Sequence, residues 1–253
     1  MRRTNRYCAR LRASRPSATL AACLVAVACS DGPPDANPFD ELLTSGKALY
    51  SQGNEELIVR HFFRDRRDGF FLDVGAWHWK QASTTYYLEA HLGWTGIAVD
   101  ALRELVPEYR KNRPGTRLFT YIVGDSSGGM ADFYAFGALS STVEDHLELF
   151  GTLAPETKTQ EPQHRRVPTI TLDDLLGRNG VTRIDFLSMD IEQGEPAALA
   201  GFDIERFRPE LVAIEMGLAS VREKVIAYMA EHGYVRIEQY AEHDIANWYY
   251  TPR

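Results

Sequence analysis

A chain of 253 residues, 44% hydrophobic and 25% charged, is apolar enough to bury the core of one α/β domain, and disorder is not its default. Its net charge is −7; beyond the first 29 residues, which hold six arginines and no acid, 22 basic residues face 35 acidic ones, or −13, the wrong sign for a nucleic-acid partner. Cys8, Cys23 and Cys29 all lie in those first 29 residues, so the body has no disulfide, CxxC redox motif or Cys-based zinc site.

The N-terminal residues read as a targeting segment. A basic region over residues 2–15 precedes an apolar stretch over residues 18–28. Those 11 residues are too few for a bilayer, which needs about 20, and suit a signal-peptide core. Ala26-Val27-Ala28-Cys29 resembles a bacterial lipobox, with Ala26 where Leu is expected. A lipid on Cys29 would give membrane attachment and an exported, periplasmic location. Simple cleavage after Ala28 is the alternative, as is a plain extension on a cytoplasmic protein. Residues 30–38, with three Pro and one Gly, form a flexible tether, and the domain proper is expected over residues 39–253.

The first elements in that domain are two short helices. Asn37 can cap one running to residue 50, with Pro38 in its first turn. Ser51 can cap another through Phe63, with Leu57, Ile58, His61 and Phe62 on one face. Strands are predicted over residues 70–74, 96–99, 118–123, 183–189, 211–215, 234–239 and 246–250, and an extended piece over 130–136. Helices are predicted over 83–92, 107–112, from Thr171, over 195–200 and over 221–232. Short apolar strands alternating with helices imply an α/β fold with an open, mainly parallel sheet covered on both faces. Residues 137–167 are polar and without periodicity, as in a lid, a binding loop or a mobile surface loop.

Ligands in such sheets bind beyond the carboxyl ends of the strands, and four constellations lie there. Asp73-Val74-Gly75-Ala76 follows the first strand; Gly75 admits a ligand close to the backbone, and Asp73 can hold a cationic or hydroxyl group. Asp100 ends the next strand, 25 residues after Gly75, in the arrangement that grips ribose hydroxyls. A dinucleotide fits less well, because Trp77-His78-Trp79 stands where further glycines would admit a pyrophosphate. Asp125-Ser126 follows the third strand and can meet an adenine amino group. Asp190, Glu192 and Glu195 crowd within six residues past the strand ending at Met189, suited to a general base, a metal or the positive end of a cofactor, or to helix capping. Glu215, ending a later strand, can face the same cleft.

Together these segments resemble FkbM-type methyltransferases. Gln52-Gly53-Asn54-Glu55, Phe71-Leu72-Asp73-Val74-Gly75-Ala76, Gly93-Trp94-Thr95-Gly96-Ile97-Ala98-Val99-Asp100 and Met189-Asp190-Ile191-Glu192 occur in that family's order. Ala200-Gly201-Phe202-Asp203 and Pro209-Glu210-Leu211-Val212-Ala213-Ile214-Glu215 close the pattern. The resemblance implies a class I, Rossmann-like methyltransferase fold with S-adenosylmethionine as cofactor. It places Gln52, Glu55, Asp73, Gly75 and Ala76 on the cofactor, Asp100 on the ribose, Asp125 and Ser126 near the adenine, and Asp190 and Glu192 beside the reacting methyl. It also implies O-methylation of a sugar or small-molecule hydroxyl. Gln193 departs from the Gly usual in that family, which would narrow the loop or abolish turnover, and Trp77-His78-Trp79 departs from its small polar residues.

Alignment of acceptor and methyl carries most of such a reaction, and a hydroxyl acceptor also needs a base. Asp190 or Glu192 is expected in that role, with His78 or His146 as second choices. An exported, non-catalytic binding module on the same fold is the rival. A metal-dependent hydrolase ranks below both, since no His pair stands at ligand spacing, and no metal site is assigned.

Overall fold

The computed structural model describes residues 39–136, 140–142 and 163–253. The targeting segment with its three cysteines, the tether, Asn37, Pro38, His146 and most of the aperiodic stretch lie outside the described residues.

The first described helix, α1 (Asp40–Ser45), stops at Gly46, short of the predicted residue 50. The cause is α2 (Glu55–Phe63), whose Glu56 carboxylate reaches back to accept from the Leu49 and Tyr50 N–H groups, holding the intervening chain open. Asn54 is the N-cap, and Ser51 acts one step removed, accepting from Glu56 N–H. Then follow β1 (Phe70–Val74), α3 (Tyr86–Leu92), β2 (Thr95–Asp100), α4 (Val106–Asn112) and β3 (Thr116–Thr120). Ser83 stands outside α3 and accepts from Tyr86 N–H, so that helix begins three residues later than predicted.

The predicted strand over 118–123 is two strands. β3 stays in the main sheet, whereas β4 (Ile122–Val123) leaves it to pair with β6 (Gln163–Ile170), which pairs antiparallel with β5 (Met130–Ala135). The end of the stretch expected to be irregular, residues 163–167, is thus strand. After Thr171, whose hydroxyl caps α5 (Leu172–Arg178), come β7 (Phe186–Met189), α6 (Glu195–Ala200), α7 (Ile204–Phe207), β8 (Leu211–Glu215), α8 (Ala219–Glu231), β9 (Tyr234–Arg236) and β10 (Asn247–Pro252). The one-turn α7 was not anticipated.

The main sheet has the order β3-β2-β1-β7-β8-β10-β9, with β10 antiparallel to both neighbours and the other pairings parallel. One face carries Leu72, Val74, Ile97, Val99, Leu187, Met189, Val212 and Ile214, packed with α5, α6, α7 and α8. The other carries Phe71, Phe186, Leu211 and Ala213 under α2 and α3. Strand order reverses direction between β1 and β7, which puts the crevice of the sheet there. Among the described residues no helix is long and apolar enough to cross a membrane.

Trp94 anchors the α2–α3 face. It is 1% exposed, donates from its indole to the Arg66 carbonyl at 2.6 Å and meets Phe63 edge-on. Trp94→Ala is expected to lower stability by about 3–5 kcal/mol, read as a shifted urea midpoint at unchanged slope.

Candidate active site

The crevice has a polar floor that grows out of the apolar core by strand periodicity. Phe71, Phe186 and Leu211 lie side by side in register on β1, β7 and β8. Two residues on, the same face carries Asp73, Ser188 and Ala213. Two further on come Gly75, Asp190 and Glu215. Because side chains alternate across a strand, the period that buries the core also stacks these polar residues at the carboxyl edge.

At that edge two backbones cross. Gly75, at φ +89°, donates to the Val99 carbonyl, while Asp190 donates to the Val74 carbonyl. A Cβ on Gly75 would collide with the Asp190 carbonyl, so glycine is required twice, for conformation and for space. The chain then turns through Glu192 and Gln193, both left-handed at φ 53° and 82°. The Gln193 amide lies against Gly217 and accepts from Leu218 N–H at 3.3 Å. It lines neither cavity of the cleft.

Two cavities open from the crevice. One is an apolar slot walled by Val99, Tyr121, Val123, Phe133 and Ile191, with Asp100 at its edge. Asp100 accepts from Trp77 N–H (2.9 Å) and Leu102 N–H (2.8 Å). Its carboxyl is pushed up to about 6 by burial, against the help of those two donors. The other is a polar chamber of about 510 Å³ between the sheet edge, the start of α2 and the turn before β10. Its wall carries Glu55, Asp73, Asp190, Glu192, Glu215 and Asp244, with no Lys or Arg among the described residues. Gly75, Trp77, Asp190 and Glu192 line both spaces.

Single oxygens of Asp190, Glu192 and Glu215 lie within 4.8 Å of one another. Asp190 reaches water through the cleft mouth, yet the protein around it, and then Glu215 and Glu192, push its carboxyl well above the usual range. Glu215 is pushed up to about 7, first by burial and then by Glu192 and Glu195. Crowded carboxylates in a confined space hold their protons more tightly.

Behind Asp73 stands a buried cation. Arg113, 1% exposed, donates to Glu89, to the Trp79 carbonyl, and to the Thr85 and Thr116 hydroxyls. The Thr85 hydroxyl in turn donates to Asp73 at 2.6 Å. Burial raises the Asp73 carboxyl, whereas the Thr85 hydroxyl and the Arg113 charge act the other way.

Of the residues singled out in the sequence, Gln52, Glu55, Asp73, Gly75, Ala76, Asp190 and Glu192 line the polar chamber and Asp100 the slot. Asp125 and Ser126 are exposed in the turn after β4 and line neither space; β4 has swung into the small sheet, which leaves Tyr121, Ile122 and Val123 facing the slot instead. The His78 imidazole accepts from Lys80 and Gln81 N–H, away from both. Sequence reasoning missed Ser188, Ser141, His243, Asp244 and Asn247. Ser188 alternates with Phe186 on β7 and was in principle readable. Asp244 accepts from Ala246 and Asn247 N–H, a local turn that only the fold carries to Glu55. Trp77, at φ 38°, gives its N–H to Asp100 and walls both spaces.

A glycine crossing at the switch point, an acid at the next strand end and a reversed strand within an otherwise parallel sheet are the features of a class I, Rossmann-like methyltransferase, and the chain is a methyltransferase. The model of the methyltransferase FkbM domain matches residues 73–236, so the chain belongs to that family; Gln52 and Glu55 precede the matched range but share its cleft. No curated protein matches this chain in sequence. Among solved structures, the TehB-like SAM-dependent methyltransferase from Corynebacterium glutamicum ATCC 13032 Kitasato is similar at a TM-score of 0.45 and 14% identity, over 84% of this chain and 93% of that one. The precorrin-6y C5,15-methyltransferase from Geobacter metallireducens GS-15 is similar at 0.38 and 12%, over 72% and 71%.

Two predictions follow from this geometry. Arg113→Met leaves Glu89 buried without its cation and is expected to cost about 3–5 kcal/mol; adding Glu89→Met should recover part of that loss, read from urea unfolding of both variants. Glu195 is 1% exposed and its carboxyl is pushed up to about 7, chiefly by burial. The unfolded glutamate titrates near ~4.3, so the folded state is the more protonated between these values, and stability contributed by Glu195 falls as pH rises through about 7. In Glu195→Gln the unfolding midpoint should decline less between pH 5 and 8 than in the parent.

Proposed function

We propose that this chain transfers the methyl of S-adenosylmethionine to a hydroxyl of a small-molecule or sugar acceptor. The observation that carries this reading is the shared wall: an apolar slot and a polar chamber meet at Gly75, Trp77, Asp190 and Glu192. The donor set fits the cofactor. Asp100 sits at the slot edge for vicinal hydroxyls, and Asp73 faces the chamber beside Gln52 and Glu55.

When bound, S-adenosylmethionine supplies an electrophilic methyl group. The chain's part is to align the acceptor and to take its proton. Asp190 is the base in this reading, with Glu192 beside it. Its place at the junction of the slot and the chamber suits removal of a hydroxyl proton from an acceptor there. Trp77, Val99 and Phe133 keep the slot dry, which strengthens each polar contact at its edge. We further propose that residues 1–29 direct export and that Cys29 carries a lipid; mass spectrometry of the mature N-terminus should then find a lipidated cysteine.

Calorimetry of the full chain with S-adenosylhomocysteine is expected to give saturable binding. Asp100→Asn should weaken it about tenfold, equivalent to ~1.4 kcal/mol. Asp190→Asn should leave it near the parent value while lowering methyl transfer by about a hundredfold or more. Absence of binding would favour the rival, an exported binding module on this fold.

A further inference from the structure

We propose that the acceptor carries a protonated amine near the hydroxyl to be methylated, as in an amino sugar or amino alcohol. This rests on the methyl-transfer reading above and names the substrate class of the same cleft.

The first observation is a charge imbalance. Six carboxylates line the polar chamber, and among the described residues no Lys or Arg lines it beside them. S-adenosylmethionine brings two positive groups and one carboxylate, a net single positive charge. Asp73 and Asp100 are engaged by that cofactor in the proposed pose. Asp244 is already satisfied by Ala246 N–H, Asn247 N–H, the Asn247 amide and the Tyr249 hydroxyl. Glu55 accepts from Gly53 N–H and the Asn247 amide. Asp190 and Glu215 are different: they hydrogen-bond to each other, neither accepts from a backbone N–H or a basic side chain among the described residues, and their electrostatic neighbours are further acids.

The second observation concerns unpartnered polar atoms. Glu215 Oε2 is shut off from solvent and has no hydrogen-bond partner. Ser188 is 9% exposed, lies beside Asp73 on the chamber floor, and its hydroxyl meets no partner among the described residues. Buried polar atoms left so are costly unless a ligand completes them. An ammonium group offers three donors and a positive charge, which matches Glu215, Asp190 and the Ser188 hydroxyl together. Trp77 walls the same chamber, and indole is a residue type that favours organic cations. The chamber's volume of about 510 Å³ leaves room for a small polyhydroxyl body around that amine.

The test uses the full chain saturated with S-adenosylhomocysteine and titrated with glucosamine, N-acetylglucosamine and glucose. Glucosamine is expected to bind at least about tenfold more tightly than the other two, because hydrogen bonds to charged groups are each worth more than neutral ones. Glu215→Gln should bring glucosamine close to the level of glucose while leaving S-adenosylhomocysteine affinity unchanged. Should that variant not fold, Ser188→Ala carries the comparison, with glucosamine expected to weaken more than glucose. Equal affinity for the three sugars would overturn the proposal. So would magnesium chloride binding in the sub-millimolar range and excluding glucosamine, since the acids would then form a metal site. Failure of S-adenosylhomocysteine itself to bind would instead bring down the methyl-transfer reading.

Discussion

The cleft depends on one backbone crossing. Where β1 ends, Gly75 passes against the carbonyl of Asp190; Asp190 N–H donates across the switch point to Val74, while Gly75 N–H donates to Val99 on β2. No residue with a side chain fits there without moving the β7–α6 loop, and that loop carries Asp190 and Glu192. The crossing therefore sets the separation between the wall of the apolar slot and the acids of the polar chamber. It joins the two spaces into one site and places both acids at their junction.

Bringing carboxylates together works against stability, and the surrounding structure offsets this unevenly. Asp73 is supported through Thr85 by the buried Arg113, which is itself neutralised by Glu89. Asp100 receives two backbone donors. Glu195 receives the Ile191 N–H and stiffens the turn beneath Asp190. Asp190 and Glu215 have only each other's side chain for support, and crowding by neighbouring acids raises both. Ground-state discomfort of this kind is common where a site awaits charge from a ligand. Ser141, whose hydroxyl donates to the Glu192 carbonyl, ties the chain after β5 to the same loop, so the small sheet and the acidic turn are mechanically linked.

Much of this was readable in the residues. Continuous apolar runs marked β1, β2 and β8 because strands buried on both faces need them, and the polar residues that end those runs fell in the cleft. The differences between sequence and structure arise where long-range pairing decides. Asp125 and Ser126 were expected beside the adenine because residues 118–123 read as one strand. Pairing with β6, itself inside a stretch without periodicity, pulls residues 122–123 into another sheet. Arg113 sits in Lys111-Asn112-Arg113-Pro114-Gly115, a composition that reads as a solvated turn, yet it is 1% exposed. The left-handed backbone at Gln193 gives a physical reason for glycine at that position in similar chains. It also shows why glutamine is tolerated, since its side chain leaves the cleft toward Gly217.

The most direct test of this account is a crystal structure of the full chain with S-adenosylhomocysteine. The account predicts the adenine between Val99, Tyr121, Phe133 and Ile191, the ribose hydroxyls on Asp100, and the sulfur at the junction beside Gly75 and Asp190. A ligand bound elsewhere, or with its ribose turned away from Asp100, would contradict it.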